Sequence, residues 1–358
     1  MTRPARAVLS AQALRHNFER VRAYAPHAKI MAVVKANAYG HGLVWTARTL
    51  DGADAYAVAS VEEGAELRAA QIAKPVCLLE GFFDPVELPD ISRHRLAPVV
   101  HHAGQILDLE HAKGVSGLDV WLKVDTGMHR IGFPPEQSAD AAARLAACAA
   151  VASVRWMTHF ASADNRFDSA TKYQIDGFHK LVDGHDTECS LANSAGIIAW
   201  PTSHLDWVRP GIMLYGASPL MGQSAVELGL KPVMTLQSQL IAVHHRKKGE
   251  AVGYGGDWIC PEDMPVGTVA IGYGDGYPRH APPGTPVLVN GARVPLIGRV
   301  SMDMITVDLR TQPQARVGDP VVLWGVDPPV DEIAALAGTI SYELLCCVTP
   351  RIPRIEAG

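Results

Sequence analysis

Nothing in this chain approaches the roughly 18 consecutive apolar residues that a membrane-spanning helix needs. Met1 to Ser10 contains arginines but leads straight into a helical pattern with no apolar core, so no secretory leader is expected. Cys77, Cys148, Cys189, Cys260, Cys346 and Cys347 include no CxxC pair, and the adjacent two cannot readily bridge each other. They are expected to be mostly buried thiols in a reducing cytoplasm. Charge of one sign is also missing: 32 Lys and Arg stand against 37 Asp and Glu, a net charge of -5. This leaves no electrostatic footprint for nucleic acid or an acidic membrane surface. No Walker A motif and no GxGxxG before a helix points to a nucleotide. The pairs His101 with His102 and His244 with His245 lack the spacing or nearby cysteines of a zinc site, and they read as solvated histidines rather than metal ligands. Repeats, low-complexity tracts and a flexible linker are absent as well.

What is present is a globular composition, 48% hydrophobic and 19% charged over 358 residues. That length is more than one ordinary core accommodates, so about two domains are expected. Leu14, Phe18 and Val21 recur at helical spacing within Ala11 to Tyr24, with Ser10 as N-cap. Short apolar runs then alternate with helical patterns. Strands are predicted at Ile30–Val34, Ala55–Ala59, Val76–Leu79, Ala97–Val100, Val120–Val124, Val154–Phe160, Cys189–Ala192 and Leu205–Arg209. Helices are predicted near Leu43–Leu50, at Val61–Ala70 with Ser60 as N-cap, at Ala139–Ala149 and at Ala170–Leu181. Strands alternating with helices imply a parallel sheet, and eight of them within about 200 residues suit a (β/α)8 barrel. A doubly wound sheet is the runner-up, since one sequence cannot show closure.

From residue 229 the texture changes to short β-rich runs broken by glycine and proline: Leu236–Val243, Val269–Ile271, Pro286–Val289, Arg293–Ile297, Ile305–Leu309 and Pro320–Leu323. One helix, Val330–Ala337, interrupts them. The expected fold class is therefore α/β, with a TIM-type barrel over residues 10–228 and a mostly β domain over 229–358. The segment 1–9, through Arg6–Leu9, is placed as a strand with the second domain.

The chemistry centres on KIMAVVKANAYGHG, Lys29 to Gly42. The apolar run ends abruptly in Lys35, and a lysine at a strand end can be buried only if its charge is paired or lost. A partly desolvated amine can form a Schiff base with a carbonyl. A surface lysine snorkelling at a strand end is the ordinary reading of this stretch taken alone. In a barrel, however, active-site residues sit at the C-terminal ends of strands. Lys35 and Tyr39 stand there after the first strand, Lys123, Asp125 and Arg130 after the fifth, and His159 after the sixth. Asn193 and Ser194 follow the seventh, and Arg209 and Gly211 the eighth. Each alone has a bland explanation, such as a core histidine or a helix-capping Asn-Ser; together they select one kind of position. Hydroxyls and backbone N–H groups at Asn193 to Gly196 and at Gly211-Ile212 suit an anion such as phosphate. A lysine opposite a phosphate cradle is what pyridoxal 5'-phosphate (PLP) requires. The second domain adds tyrosine-glycine loops around Tyr254 and Tyr273, which taken singly read as tight hairpins.

These residues are familiar. AVVKANAYGHG, LKVDTGMHRIG, HFASAD, ANSAG, VRPGIMLYG, VGYGGDW, IGYGDGYPRHAP, GRVSMD, ISYELLC and RIPR follow in order, and the chain resembles alanine racemases along nearly its whole length, most closely in texture those of Gram-negative bacteria. The resemblance implies PLP enzyme fold type III and the isomerisation of L- and D-alanine for peptidoglycan of the cell wall. It implies that Lys35 holds PLP and acts as one base, and that Tyr254 of a second subunit is the other, in a homodimer with a shared site. It places Tyr39, Ser194, Gly211, Ile212 and Tyr342 around the phosphate, His159 against the ring and Arg209 at the pyridine nitrogen. Arg130 and the backbone at Met302 would meet the substrate carboxylate, and Lys123 is a candidate for carbamylation. Ser301 stands where other members carry cysteine. The readings kept beside this one are a broad-specificity or serine racemase on the same scaffold, a decarboxylase of the same fold family, and a non-catalytic PLP-binding protein. Substrate range beyond alanine and a biosynthetic or catabolic role stay open.

Overall fold

A computed structural model describes residues 3–357. Its N-terminal part is a closed barrel of eight parallel strands. Counting Arg6–Leu9 as β1, the barrel strands are β2 (Lys29–Val33), β3 (Ala55–Val58), β4 (Val76–Leu78), β5 (Leu96–Val100), β6 (Leu118–Lys123), β7 (Val151–Met157), β8 (Cys189–Asn193) and β9 (Trp207–Arg209). Closure runs through Ile30, which pairs with Val208. The barrel replaces the doubly wound alternative. β2 to β5 are buried nearly throughout because helices cover them outside and side chains fill the barrel inside.

Local chemistry starts the helices where the sequence places them. Ser10 Oγ accepts from the backbone N–H of Ala13 at 3.1 Å, opening the helix Ala11–Tyr24. Ser60 caps Val61–Ala69 in the same way, through Glu63 N–H. Each satisfies one of the orphan donors of a helix start.

The C-terminal part is built on β10 (Met234–Arg246), β13 (Met264–Val269), β14 (Pro286–Val289), β15 (Ala292–Ile297), β16 (Ile305–Asp308) and β17 (Pro320–Trp324), with a short hairpin of β11 (Ala251–Val252) and β12 (Trp258–Ile259). β1 pairs antiparallel with β10, Ala7 opposite Leu236, and parallel with β18 (Arg354–Glu356). Both ends of the described chain are thereby tied into this sheet.

The structure corrects two expectations here. The strand at the second predicted run of this half lies almost wholly N-terminal to the predicted Val269–Ile271, since Pro265 and Gly267 are tolerated within β13. Two helices, not one, interrupt the sheet: Val330–Leu336 and Ser341–Cys347. The second is only two turns long, and its buried Ser341, Leu344 and Leu345 leave too short a periodic signal to read.

Candidate active site

A cavity of about 650 Å³ opens at the C-terminal mouth of the barrel. It is lined by Lys35, Tyr39, Lys123, Arg130, His159, Asn193, Ser194, Arg209, Gly211, Ile212 and Tyr342, so strand ends far apart in sequence converge there. Tyr342 reaches it from the helix Ser341–Cys347, and its ring lies 6.0 Å from that of Tyr39. Tyr254 and Met302 are not among the lining residues; they are 65% and 53% exposed on loops of the C-terminal part. The Met302 loop is held by the Tyr273 loop, with Gly274 N–H donating to Met302 O at 2.8 Å and Tyr273 N–H to Ser301 O at 3.0 Å.

Lys35 follows β2 immediately after Val34. The next four residues, Ala36, Asn37, Ala38 and Tyr39, all take left-handed backbone with φ between 51° and 54°. Each such residue costs roughly 1–2 kcal/mol, because Cβ crowds the following carbonyl. The turn throws Tyr39 back over the barrel, where it stacks on Tyr215 at 4.7 Å. A Cβ at Gly211 would lie 2.5 Å from the Tyr39 hydroxyl, so this approach requires glycine. Beside it the buried Ser194 hydroxyl accepts from Gly211 N–H at 2.8 Å. Asn193 Oδ1 accepts from Gly196 N–H at 2.9 Å, the capping bond expected of an Asn-Ser pair, while the residue also lines the cavity.

At the end of β9, Arg209 is almost wholly buried, with no carboxylate partner among the described residues. Its guanidinium donates to Ser190 Oγ and Thr158 O, both at 2.6 Å, to Leu191 O at 3.2 Å and to His159 Nδ1 at 3.3 Å. Burial lowers its pKa to about 10, which leaves the charge in place at neutral pH. Burial and the cations Arg209, Lys123, Arg130 and Lys35 push the His159 imidazole well below its ordinary value, so it is neutral. Since a guanidinium only donates, Nδ1 of His159 is the acceptor and Nε2 bears the proton.

The desolvated lysine of this site is Lys123. It is 8% exposed, and burial together with Arg209, Arg130 and Lys35 brings its pKa down to about 7. Lys35, which sits past the strand end and faces the cavity, has a side chain 36% exposed with Nζ 3.9 Å from Glu80. The sequence marks both as strand-end lysines but not how deeply each is buried: strand-end position is visible locally, whereas burial inside β6 depends on the closed barrel.

Arg130 stands on a tight loop whose shape Asp125 sets. The Asp125 carboxylate accepts from Gly127, Met128 and His129 N–H, each at 3.0 Å, and Phe133 pairs back onto Lys123 and Asp125. Val33, Leu79, Glu80, Phe82, Phe83, His101, His102, Ile131 and Met157 also line the cavity, and sequence reasoning placed none of them in the site. His101 and His102 are a correction, since they are not simply solvated. His101 contacts Glu80 O at 3.2 Å, and His102 Nδ1 accepts from Gln105 N–H at 3.3 Å to cap the helix Ala103–His111. Their place after β5 was the available signal.

Comparisons with known proteins agree along the whole chain. The family described as alanine racemase, N-terminal domain, matches residues 9–219, and alanine racemase, C-terminal domain, matches residues 233–356. An alanine racemase of Nitrosococcus oceani is 56% identical over 97% of this chain and 98% of its own length. The biosynthetic alanine racemase of Escherichia coli is 51% identical over 97% of this chain and 98% of its own. The crystal structure of the biosynthetic alanine racemase from Pseudomonas aeruginosa superposes with a TM-score of 0.97 at 48% identity, covering 100% of both chains.

Proposed function

Because this chain belongs to the alanine racemase family of isomerases, we propose that it interconverts L- and D-alanine with PLP and two protein bases, Lys35 and Tyr254. The observation that carries the reading is the cavity itself, which brings together Lys35 just past the end of β2, the hydroxyl and glycine cradle of Tyr39, Ser194 and Gly211, and the buried Arg209.

The residues fit PLP on their own chemistry. Tyr39, Ser194 and Gly211 form a close-packed concavity of donors in which a side chain on Gly211 has no room, a site suited to phosphate oxygens, with Ile212 and Tyr342 beside it. The cavity volume falls in the range of about 300–1,000 Å³ usual for small-molecule sites. When bound, PLP supplies an aldehyde for Lys35 and an electron sink for charge developing at the substrate Cα.

Racemisation needs a proton removed from one face of Cα and one delivered to the other. Lys35 serves one face. Tyr254 serves the other, and because it lies outside the cavity of its own chain it must come from a second copy, which makes the working unit a homodimer. His159 and Arg209 supply neutral and cationic donors on the ring side; Arg209, holding its proton, offers a ring nitrogen a hydrogen bond and no acid. Arg130 binds the substrate carboxylate, with the partner's main chain at Met302 nearby. Lys123 is expected to carry a carbamate: only an unprotonated amine adds carbon dioxide, and an amine with a pKa of about 7 is unprotonated often enough. The product serves peptidoglycan synthesis in the cytoplasm; among the described residues no helix is long and apolar enough to cross a membrane.

The decisive experiment incubates the PLP-loaded enzyme with L-alanine in D2O and follows chirality and deuterium at Cα. D-alanine carrying deuterium is the expected result. Exchange without inversion would mean that one base works and the two are not opposed.

A further inference from the structure

The left-handed turn Ala36–Tyr39 needs an account of what holds it. Four successive non-glycine residues in that region persist only where the surroundings over-determine them. Some of the support is ordinary: Asn37 Oδ1 accepts from Leu43 N–H at 2.8 Å, and Arg354 Nε donates to Gly40 O at 2.9 Å. The unusual support is His41. Its side chain is wholly buried, and Nδ1 lies 3.1 Å from Ala38 O and 2.9 Å from Tyr39 O, the last two carbonyls of the strained turn. Carbonyls only accept, so Nδ1 carries the proton and donates to both. Nε2 has no partner among the described residues. An apolar ring of the same shape would fill the space without burying an unpaired acceptor. The retained feature is therefore the single N–H aimed at the turn.

Stacking extends the contact. His41 lies on Tyr215 at 4.6 Å, Tyr215 lies on Tyr39 at 4.7 Å, and the Tyr215 hydroxyl donates to Val33 O at the end of β2 at 2.9 Å. Burial, opposed by the two carbonyl bonds and assisted by the Arg354 guanidinium, holds the imidazole neutral, with a pKa of about 4. His41 does not line the cavity.

We propose that His41 is a positioning residue, whose Nδ1–H pins the left-handed turn and so sets where Lys35 and Tyr39 stand in the active site. The proposal rests on the reading of those two residues as PLP ligands.

Two variants separate the hydrogen bond from the packing. His41→Phe keeps a stacked ring and loses the N–H; His41→Asn keeps a donor at the same distance from the backbone and loses the ring. Read on the PLP-reconstituted enzyme, His41→Phe is expected to melt near wild type while its PLP dissociation constant rises about tenfold or more, as losing a buried donor to two carbonyls implies. Its Schiff-base absorption band shifts and kcat falls more than KM. His41→Asn recovers most of the PLP affinity. Wild-type affinity and spectrum in His41→Phe would overturn the proposal, as would equal losses in both variants that track melting temperature. Amide hydrogen exchange at Gly40 and Gly42, whose N–H groups bond to Ala36 O and Asn37 O inside the turn, tests it independently of PLP. Faster exchange in His41→Phe than in His41→Asn supports the pinning role, and no difference overturns it. If wild-type protein forms no Schiff-base band with PLP, the cofactor reading fails while the exchange result still judges the turn.

Discussion

Arg209 Nη2 donates to His159 Nδ1 at 3.3 Å, and the same guanidinium is held by two main-chain carbonyls and a serine hydroxyl. The arginine is thus a fixed, charged donor that also dictates the histidine tautomer. Arg209→Glu is expected to replace a group that cannot release a proton with one that can, so a ring nitrogen beside it becomes protonated and the electron sink deepens. The ratio of pyruvate to racemised product, measured by chromatography after long incubation, should rise, with a lower melting temperature because Thr158 O and Leu191 O lose their donor. An unchanged ratio counts against the role assigned to Arg209.

Tyr254 is exposed on a loop and does not line the cavity of its own chain. Lys35→Ala and Tyr254→Phe should each lower kcat by about 100- to 10,000-fold. With the proposed shared site, mixed dimers would contain one site with both defects and one with neither. Subunits scrambled by co-expression should therefore recover about a quarter of wild-type activity, the share expected when half the dimers are mixed and each has one working site. Mixtures no better than either parent would place both bases in one chain.

Gly211→Ala puts a methyl group 2.5 Å from the Tyr39 hydroxyl. Overpacking of this kind costs about 1–3 kcal/mol, or roughly 5- to 150-fold in an equilibrium that depends on the displaced group. Titration of the apoenzyme with PLP should show weaker binding by that factor, relieved in part by Tyr39→Phe.

Lys123 loses its proton at a pH of about 7 when folded and at about 10.4 when unfolded. Between those values the unfolded chain binds the extra proton, so stability rises with pH from about 7 to about 10, and the burden on the folded state is greatest below 7. In buffer free of carbon dioxide, Lys123→Met should melt above wild type at pH 6, and the gap should close towards pH 10. Adding 13C-bicarbonate to wild type should produce a carbamate signal by NMR that the variant lacks; its absence would remove the carbamate from the scheme.

Much of this molecule was legible because its signals are local. Ser10 and Ser60 cap the helices they precede, apolar runs mark the barrel strands to within a few residues, and Asn193 caps the turn after β8. The helix Ser341–Cys347 was not legible, because two turns hold too few periods to stand out. Nor was the turn after Lys35: KANAY is a helix-favouring composition that folds left-handed where the neighbouring His41 and the sequence-distant Tyr215 and Arg354 contact it.

By itself, then, the sequence determined the alternation of strands and helices, the change to β texture near residue 229, and the strand-end positions at which polar residues accumulate, since periodicity and capping act over a few residues. Tertiary structure decided which lysine is taken out of water, that His101, His102 and Glu80 share the cavity, and that Tyr254 and Met302 do not. Those outcomes depend on desolvation and on distances between groups a hundred or more residues apart, which exist only once the barrel has closed.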